Sequence, residues 1–240
     1  MRRPAVAAQC DGLITHYYDS TGTDRVTIVT GGSRGVGREV VRKLANRGYA
    51  VVVGYIRDQG AADSIVEEAL AAGGTALTIR ADVADELDVE RMFAETAEAF
   101  GGVDVVVHAA GQVSPGPVAD HDLDRFDAML RASVRGTFLV NRQAARQLRD
   151  GGTIVNLTGS VVGLALPTDA ASAASSAAVE AMTRVLACEL RGRHITVNAV
   201  APGLENPGDP AAIAEVVAFL VSGDGRSLNG QVIHVDGGTE

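Results

Sequence analysis

From Arg25 onward the chain alternates two apolar patterns. Short unbroken apolar runs are separated by longer stretches in which apolar residues recur every three or four positions. Unbroken runs read as strands covered on both sheet faces, and the three-to-four spacing reads as amphipathic helix. The runs predict strands over Val26–Thr30, Ala50–Tyr55, Ala76–Arg80, Val103–His108, Thr153–Leu157, Ile195–Ala199 and Gln231–Val235. Between them, Val36, Val40, Val41 and Leu44 predict a first helix closed by Gly48. Further helices are expected over Ala61–Ala72, Asp85–Phe100, Leu123–Leu148, Ala170–Leu190 and Pro210–Val221, three of them ended by Gly73-Gly74, Gly101-Gly102 and Gly151-Gly152. Such alternation predicts an α/β fold: a single doubly wound parallel sheet with helices on both faces. Residues 1–24 carry neither pattern and are expected to form an N-terminal extension. Residues 25–240 are expected to form one domain.

Composition narrows the function. Apolar residues are 46% of the 240, but Trp is absent and aromatics are 4%, so the core must be aliphatic. A net charge of −9 argues against nucleic-acid or anionic-membrane binding. Cys10 and Cys188 make no disulfide framework and belong to no Cys/His cluster, so no metal is expected. Met1–Ala8 lacks the apolar core of a secretion signal, and no stretch approaches the ~20 apolar residues that span a bilayer. A cytoplasmic location is the expectation.

Thr30-Gly31-Gly32-Ser33-Arg34-Gly35-Val36-Gly37 falls between the first strand and the first helix. A phosphate there can take free N–H groups and the positive end of the helix dipole. Glycines let the backbone approach a pyrophosphate. In this strand–turn–helix context the pattern points to a dinucleotide. The second strand runs into Gly54-Tyr55-Ile56-Arg57, with no acid before Asp58 to hold a ribose 2′-OH. Arg34 and Arg57 together suit a 2′-phosphate, which favours NADP(H) over NAD(H). The alternative for either arginine is a solvated loop residue.

With these motifs in view, the sequence resembles the short-chain dehydrogenase/reductase family, most closely its β-ketoacyl-carrier-protein and polyketide ketoreductases. The resemblance runs from about Arg25 to Gly238. It rests on Thr30–Gly37, on Asp82-Val83, on Ala109-Ala110-Gly111 with Ala109 where the family has Asn, and on Ile154-Val155-Asn156 leading to Ser160-Val161-Val162-Gly163. Val197–Gly203 and Val235-Asp236-Gly237-Gly238 complete it. The resemblance implies a Rossmann-type fold and a cofactor site at Gly31, Ser33, Arg34, Gly35, Val36, Gly37, Arg57, Asp82, Val83, Ala109, Ala110, Gly111, Pro202 and Gly203.

It also implies a catalytic Asn, Ser, Tyr and Lys. Ser160 matches the serine. The tyrosine and lysine positions fall on Ser172 and Ser176, and the asparagine falls on Ser133. No alternative register restores them: no tyrosine follows Tyr55, and the only lysine is Lys43. In ketone reduction the hydride leaves an alkoxide that must be protonated. A phenol beside an ammonium does this near neutral pH; a serine hydroxyl is a far weaker acid. Such help is commonly worth ~10²–10⁴ in rate. The family's substrate lid is expected to be shortened to Leu204–Asp209, and its nicotinamide-holding threonine falls on Pro207. Among replacement groups, His108 reads as a structural strand-end residue and Asp169 as a helix N-cap. His16, Tyr17 or Tyr18 are further candidates to reach the open cleft.

Three functions compete at this stage. One is an NADP(H)-binding, non-catalytic partner subunit of an active ketoreductase, in a homo- or hetero-oligomer built on the fourth and fifth helices, where Ala173, Ala177 and Ala181 permit close approach. The second is a repurposed ketoreductase, cyclase or dehydratase acting on a polyketide or acyl thioester. The third is an NADP(H)-sensing module.

Overall fold

The structure, a computed structural model, describes residues 25–159, 166–203 and 209–235. The expectations for residues 1–24 (His16, Tyr17 and Tyr18 included), Ser160–Gly163, Leu204–Gly208 (with Pro207) and Asp236–Gly238 lie outside the described residues.

Seven parallel strands form one sheet: β1 (Val26–Thr30), β2 (Ala50–Tyr55), β3 (Thr75–Arg80), β4 (Val103–His108), β5 (Leu148–Leu157), β6 (Thr196–Pro202) and β7 (Val232–Val235). Their order is β3-β2-β1-β4-β5-β6-β7. The helices are α1 (Gly35–Asn46), α2 (Gln59–Ala71), α3 (Glu86–Phe100), α4 (Leu123–Leu130), α5 (Gly136–Gln147), α6 (Ala170–Glu189) and α7 (Pro210–Leu220). β1 to β3 run outward one way and β4 to β7 the other, so the winding reverses between β1 and β4. Ligands of open α/β sheets bind in the crevice at that switch point, outside the strands' carboxyl ends.

Side chains alternate across the strands and feed two cores. Val29, Val53, Val107 and Val155 pack under α1, α2 and α7. Ile28, Val52, Val106 and Ile154 pack against Met92 and Phe93 of α3, Val140 of α5 and Ala187 of α6. Both cores are almost wholly aliphatic, as the composition requires. Strand registry sets Thr30 beside Gly54 and His108, and His108 beside Asn156, so the strand ends bordering the crevice are level.

Two expectations need correction. The helix over Leu123–Leu148 is two helices joined by a π-helical turn at Arg131–Arg135. There the hydroxyl of Thr137 bonds the carbonyl oxygen of Ser133, within a widened turn of the kind that clusters at functional sites. The uniform apolar spacing on either side hid the interruption. Likewise, β5 starts at Leu148 rather than Thr153, so Gly151-Gly152 lie inside the strand and do not end the helix. Leu148 pairs with Val103, and a register irregularity before Val105 absorbs the glycines. No helix among the described residues is long and apolar enough to cross a membrane.

Candidate dinucleotide site

A cleft of about 750 Å³ lies over the carboxyl ends of β1, β2, β3 and β4. Gly31, Ser33, Arg34, Gly35, Val36, Gly37, Arg57, Asp82, Val83, Ala109, Ala110 and Gly111 all line it. Pro202 and Gly203 are not among its lining residues. Pro202 ends β6 and Gly203 follows it, its N–H donating to the Val235 carbonyl oxygen at 2.7 Å.

The loop before α1 is built for close approach. Gly31 has φ +68°, and a Cβ there would stand 2.9 Å from the backbone nitrogen of Ala110. Gly37, the third helical residue, is tighter still: a Cβ would sit 2.3 Å from the carbonyl oxygen of Gly31. The loop therefore lies flat on the Ala109-Ala110 turn, which the Ala109 N–H anchors to the Thr30 carbonyl at 3.1 Å. Arg34 precedes α1 in an extended conformation, and its side chain makes no capping bond. The first N–H groups of α1 thus face the cleft with no side-chain cap, as an anion site requires.

Charge is distributed unevenly around this cleft. In a chain of net charge −9 its charged lining is three arginines, Arg34, Arg57 and Arg131, and two acids, Asp58 and Asp82. Asp58 is occupied in capping α2, accepting from the Ala61 N–H at 3.0 Å. Arg34 and Arg57 are exposed and, among the described residues, make no ion pair. By contrast, Arg38 and Arg42 pair with Glu68, and Arg47 with Glu215. The two unspent guanidinium groups give the cleft its local positive field.

Of the serines implied by the resemblance, Ser133, Ser172 and Ser176 are buried. Ser133, on the π turn, accepts from the Gln112 N–H at 2.9 Å and donates to the Gln112 carbonyl at 3.0 Å. It ties the loop after β4 to the α4–α5 joint, immediately behind Gly111. Ser176 accepts from the Gly159 N–H at 3.2 Å. Ser172 is buried, and its hydroxyl has no partner among the described residues. Ser160, next in the chain after Gly159, lies outside the described residues. Among the described residues the tyrosines are Tyr49 and Tyr55 and the lysine is Lys43, and all three belong to the β2 and α1 region.

His108 and Asp169 take the places expected of them, with one correction. His108 is buried, its Nδ1 2.8 Å from the Thr30 hydroxyl and its Nε2 unpartnered among the described residues. Burial pushes it down from 6.5 to about 4, so the ring is neutral at pH 7. Asp169 precedes α6, but its side chain makes no capping bond; only its carbonyl receives the Ala173 N–H. At φ −109°, ψ 15° its backbone departs from the extended geometry that aims a capping carboxylate.

The His108 shift has a measurable consequence. The unfolded chain takes up a proton near pH 6.5 that the folded chain refuses until about pH 4. Stability owed to the neutral ring is complete above pH 6.5 and drains away as pH falls toward 4. We expect about 2–3 kcal/mol of loss between about pH 7.5 and pH 4.5, absent in His108→Gln. Urea unfolding of both proteins across that range checks it; parallel pH dependences would refute it.

Sequence reasoning missed Arg131. Its guanidinium holds the Asp82 carboxylate at 2.8 Å across the cleft's outer end. The partners are 49 residues apart, on separate elements, and no local spacing announces the pair.

The fold and site define a dinucleotide-type α/β protein, and comparison with known proteins gives its family. A family model described as enoyl-(acyl carrier protein) reductase matches residues 31–207. A short-chain type dehydrogenase/reductase of Picea abies is 37% identical, over 89% of this chain and 92% of its own. A versicolorin reductase of Emericella nidulans is 35% identical, over 89% of this chain and 95% of its own. Among solved structures, a short-chain dehydrogenase from Burkholderia cenocepacia in complex with NADP is 34% identical. It superposes with a TM-score of 0.85, covering 89% of this chain and 97% of that one. The chain belongs to the short-chain dehydrogenase/reductase family.

Proposed function

We propose that the chain binds NADP(H) in this cleft and does not complete carbonyl reduction, acting as a partner subunit to an active ketoreductase. The observation that carries this is the contrast between the two halves of the site. The phosphate loop is intact and, among the described residues, Arg34 and Arg57 make no ion pair, while Ser172 and Ser176 stand where the resemblance has a phenol and an ammonium.

The residues fit the cofactor. Gly31, Ser33, Gly35, Val36 and Gly37 would cradle the pyrophosphate on the α1 N-terminus. Arg34 and Arg57 would hold the 2′-phosphate, and Asp82 and Val83 the adenine end. Ala109, Ala110 and Gly111 would floor the path toward the nicotinamide, with Pro202 and Gly203 bordering its far end. NADPH, when bound, supplies a hydride. On this chain's side the missing element is a proton donor: Ser172 is a weak acid, and among the described residues no cation is bonded to it. The Burkholderia relative's NADP complex supports the cofactor choice.

The outer faces of α5 and α6 support the partner role. Phe138 is 56% exposed and Val185 58%, with Ala177 and Ala181 open beside Val185. A homo- or hetero-oligomer would cover them. The reductase relative keeps a second reading alive: an atypical NADPH-dependent ketoreductase on a polyketide or acyl thioester, with Ser160 as the retained catalytic position.

Cofactor preference is directly testable. By calorimetric titration, wild type is expected to bind NADPH at least about tenfold more tightly than NADH, since a charge-assisted bidentate contact contributes ~1.5–3 kcal/mol. Arg34→Ala with Arg57→Ala should erase that preference while leaving NADH affinity within about threefold. Equal NADPH and NADH affinity in the wild type would contradict the assignment.

A further inference from the structure

We infer that Arg131 is a base-end binding residue of this cleft, presenting its flat guanidinium to the purine of the dinucleotide. The inference rests on the NADP(H) reading above and adds to it the recognition of the uncharged end.

The sheet order fixes which part of the ligand lies where. The phosphate loop follows β1, Arg57 follows β2, and Asp82-Val83-Ala84 follow β3. Moving outward from β1, a dinucleotide laid on the phosphate loop therefore reaches ribose at β2 and base at β3. The walls at the β3 end are small and apolar: Val83 and Ala84 on one side, Ala128 and Ala132 on the other. No Phe or Trp lines the cleft, and its one aromatic residue, Tyr55, is a buried core side chain. Arg34 and Arg57 follow β1 and β2, and Arg131 is the guanidinium that stands at the β3 end, paired with Asp82.

Arg131 is also held in place. Its Nη2 sits 2.8 Å from Asp82 Oδ2, while Asp82 Oδ1 accepts from the Ala84 N–H at 2.9 Å. The Asp82 N–H is fixed in turn on Asp88 Oδ2 at 2.9 Å. The carboxylate is thus oriented from two directions before it meets the guanidinium. Arg131 remains 53% exposed, so a face is open to a ligand. A planar guanidinium stacks on an aromatic face where an ammonium presents only a point charge.

The test separates stacking from plain attraction between a cation and phosphates. The probes are NADPH, 2′,5′-ADP and inorganic pyrophosphate, titrated calorimetrically on the full chain. Arg131→Ala is expected to weaken NADPH and 2′,5′-ADP by about 3- to 30-fold and to leave pyrophosphate unchanged. Arg131→Lys, which keeps the charge, should weaken the two purine ligands nearly as much. Asp82→Asn, which releases the arginine, should weaken them less. Equal loss for pyrophosphate, or wild-type affinity in Arg131→Lys, would overturn the inference, because charge alone would then explain Arg131. Wild-type purine binding in Arg131→Ala with an unchanged melting temperature would also overturn it, leaving the NADP(H) reading standing. Failure of the wild type to bind NADPH would remove both.

Discussion

Gly37→Ala should lower NADPH affinity by at least about 100-fold, the largest single-residue effect we expect on binding. The added methyl would meet the Gly31 carbonyl oxygen at 2.3 Å, against ordinary contact near 3.4 Å. Both sides of that clash are backbone, so no side chain can swing aside. Either α1 shifts on its axis or the loop lifts from Ala110, and both move the N–H groups that would hold the pyrophosphate. A shift of this size also strains the core beneath Val40 and Val41, at a cost of about 1–3 kcal/mol in stability. Gly192→Ala is the matched control, since nothing stands within 4 Å of its Cβ position. Titration with NADPH, with thermal melts of both variants, decides the point. Near-native affinity in Gly37→Ala would mean that the dinucleotide does not lie on this loop.

The second large effect runs the other way. Ser172→Tyr combined with Ser176→Lys should raise NADPH oxidation with a β-ketoacyl thioester by about 10²–10⁴ over the starting protein. The spacing of four on α6 keeps both side chains on one buried helix face. The Ser172 hydroxyl has no partner to lose among the described residues. Ser176 gives up its bond from the Gly159 N–H, so some stability is forfeited. Either single variant should gain much less, because the phenol needs the ammonium to lower its pKa. If the double variant folds, binds NADPH and stays as slow as its parent, the missing proton donor is not what limits this protein.

The fold was legible in the sequence because its signals are local. Short valine-rich runs bounded by turn residues read as strands buried on both faces, and their bounds at Val26–Thr30, Ala50–Tyr55 and Val103–His108 coincide with those observed. The phosphate loop was legible for the same reason: its glycines, strand and helix are contiguous. Errors arose where tertiary contacts decide. The π turn at Arg131–Arg135 depends on how Ser133 meets Gln112, and β5 begins early because Leu148 pairs with Val103. Arg131 escaped notice because its meaning comes from Asp82, brought near only by the sheet. Asp169 was read as a cap from residue type, but its backbone angles aim the carboxylate elsewhere. That no tyrosine follows Tyr55, and that Lys43 is the one lysine, is read from the sequence without a structure.

On the proposed reading, the protein grips reduced cofactor and does not oxidise it. The most direct measurement follows reduced-nicotinamide absorbance after purified protein, shown by calorimetry to hold NADPH, is mixed with β-ketoacyl thioesters and polyketide-like ketones. The account predicts saturable binding and oxidation no faster than the protein-free background. Sustained oxidation with stoichiometric alcohol product would contradict it.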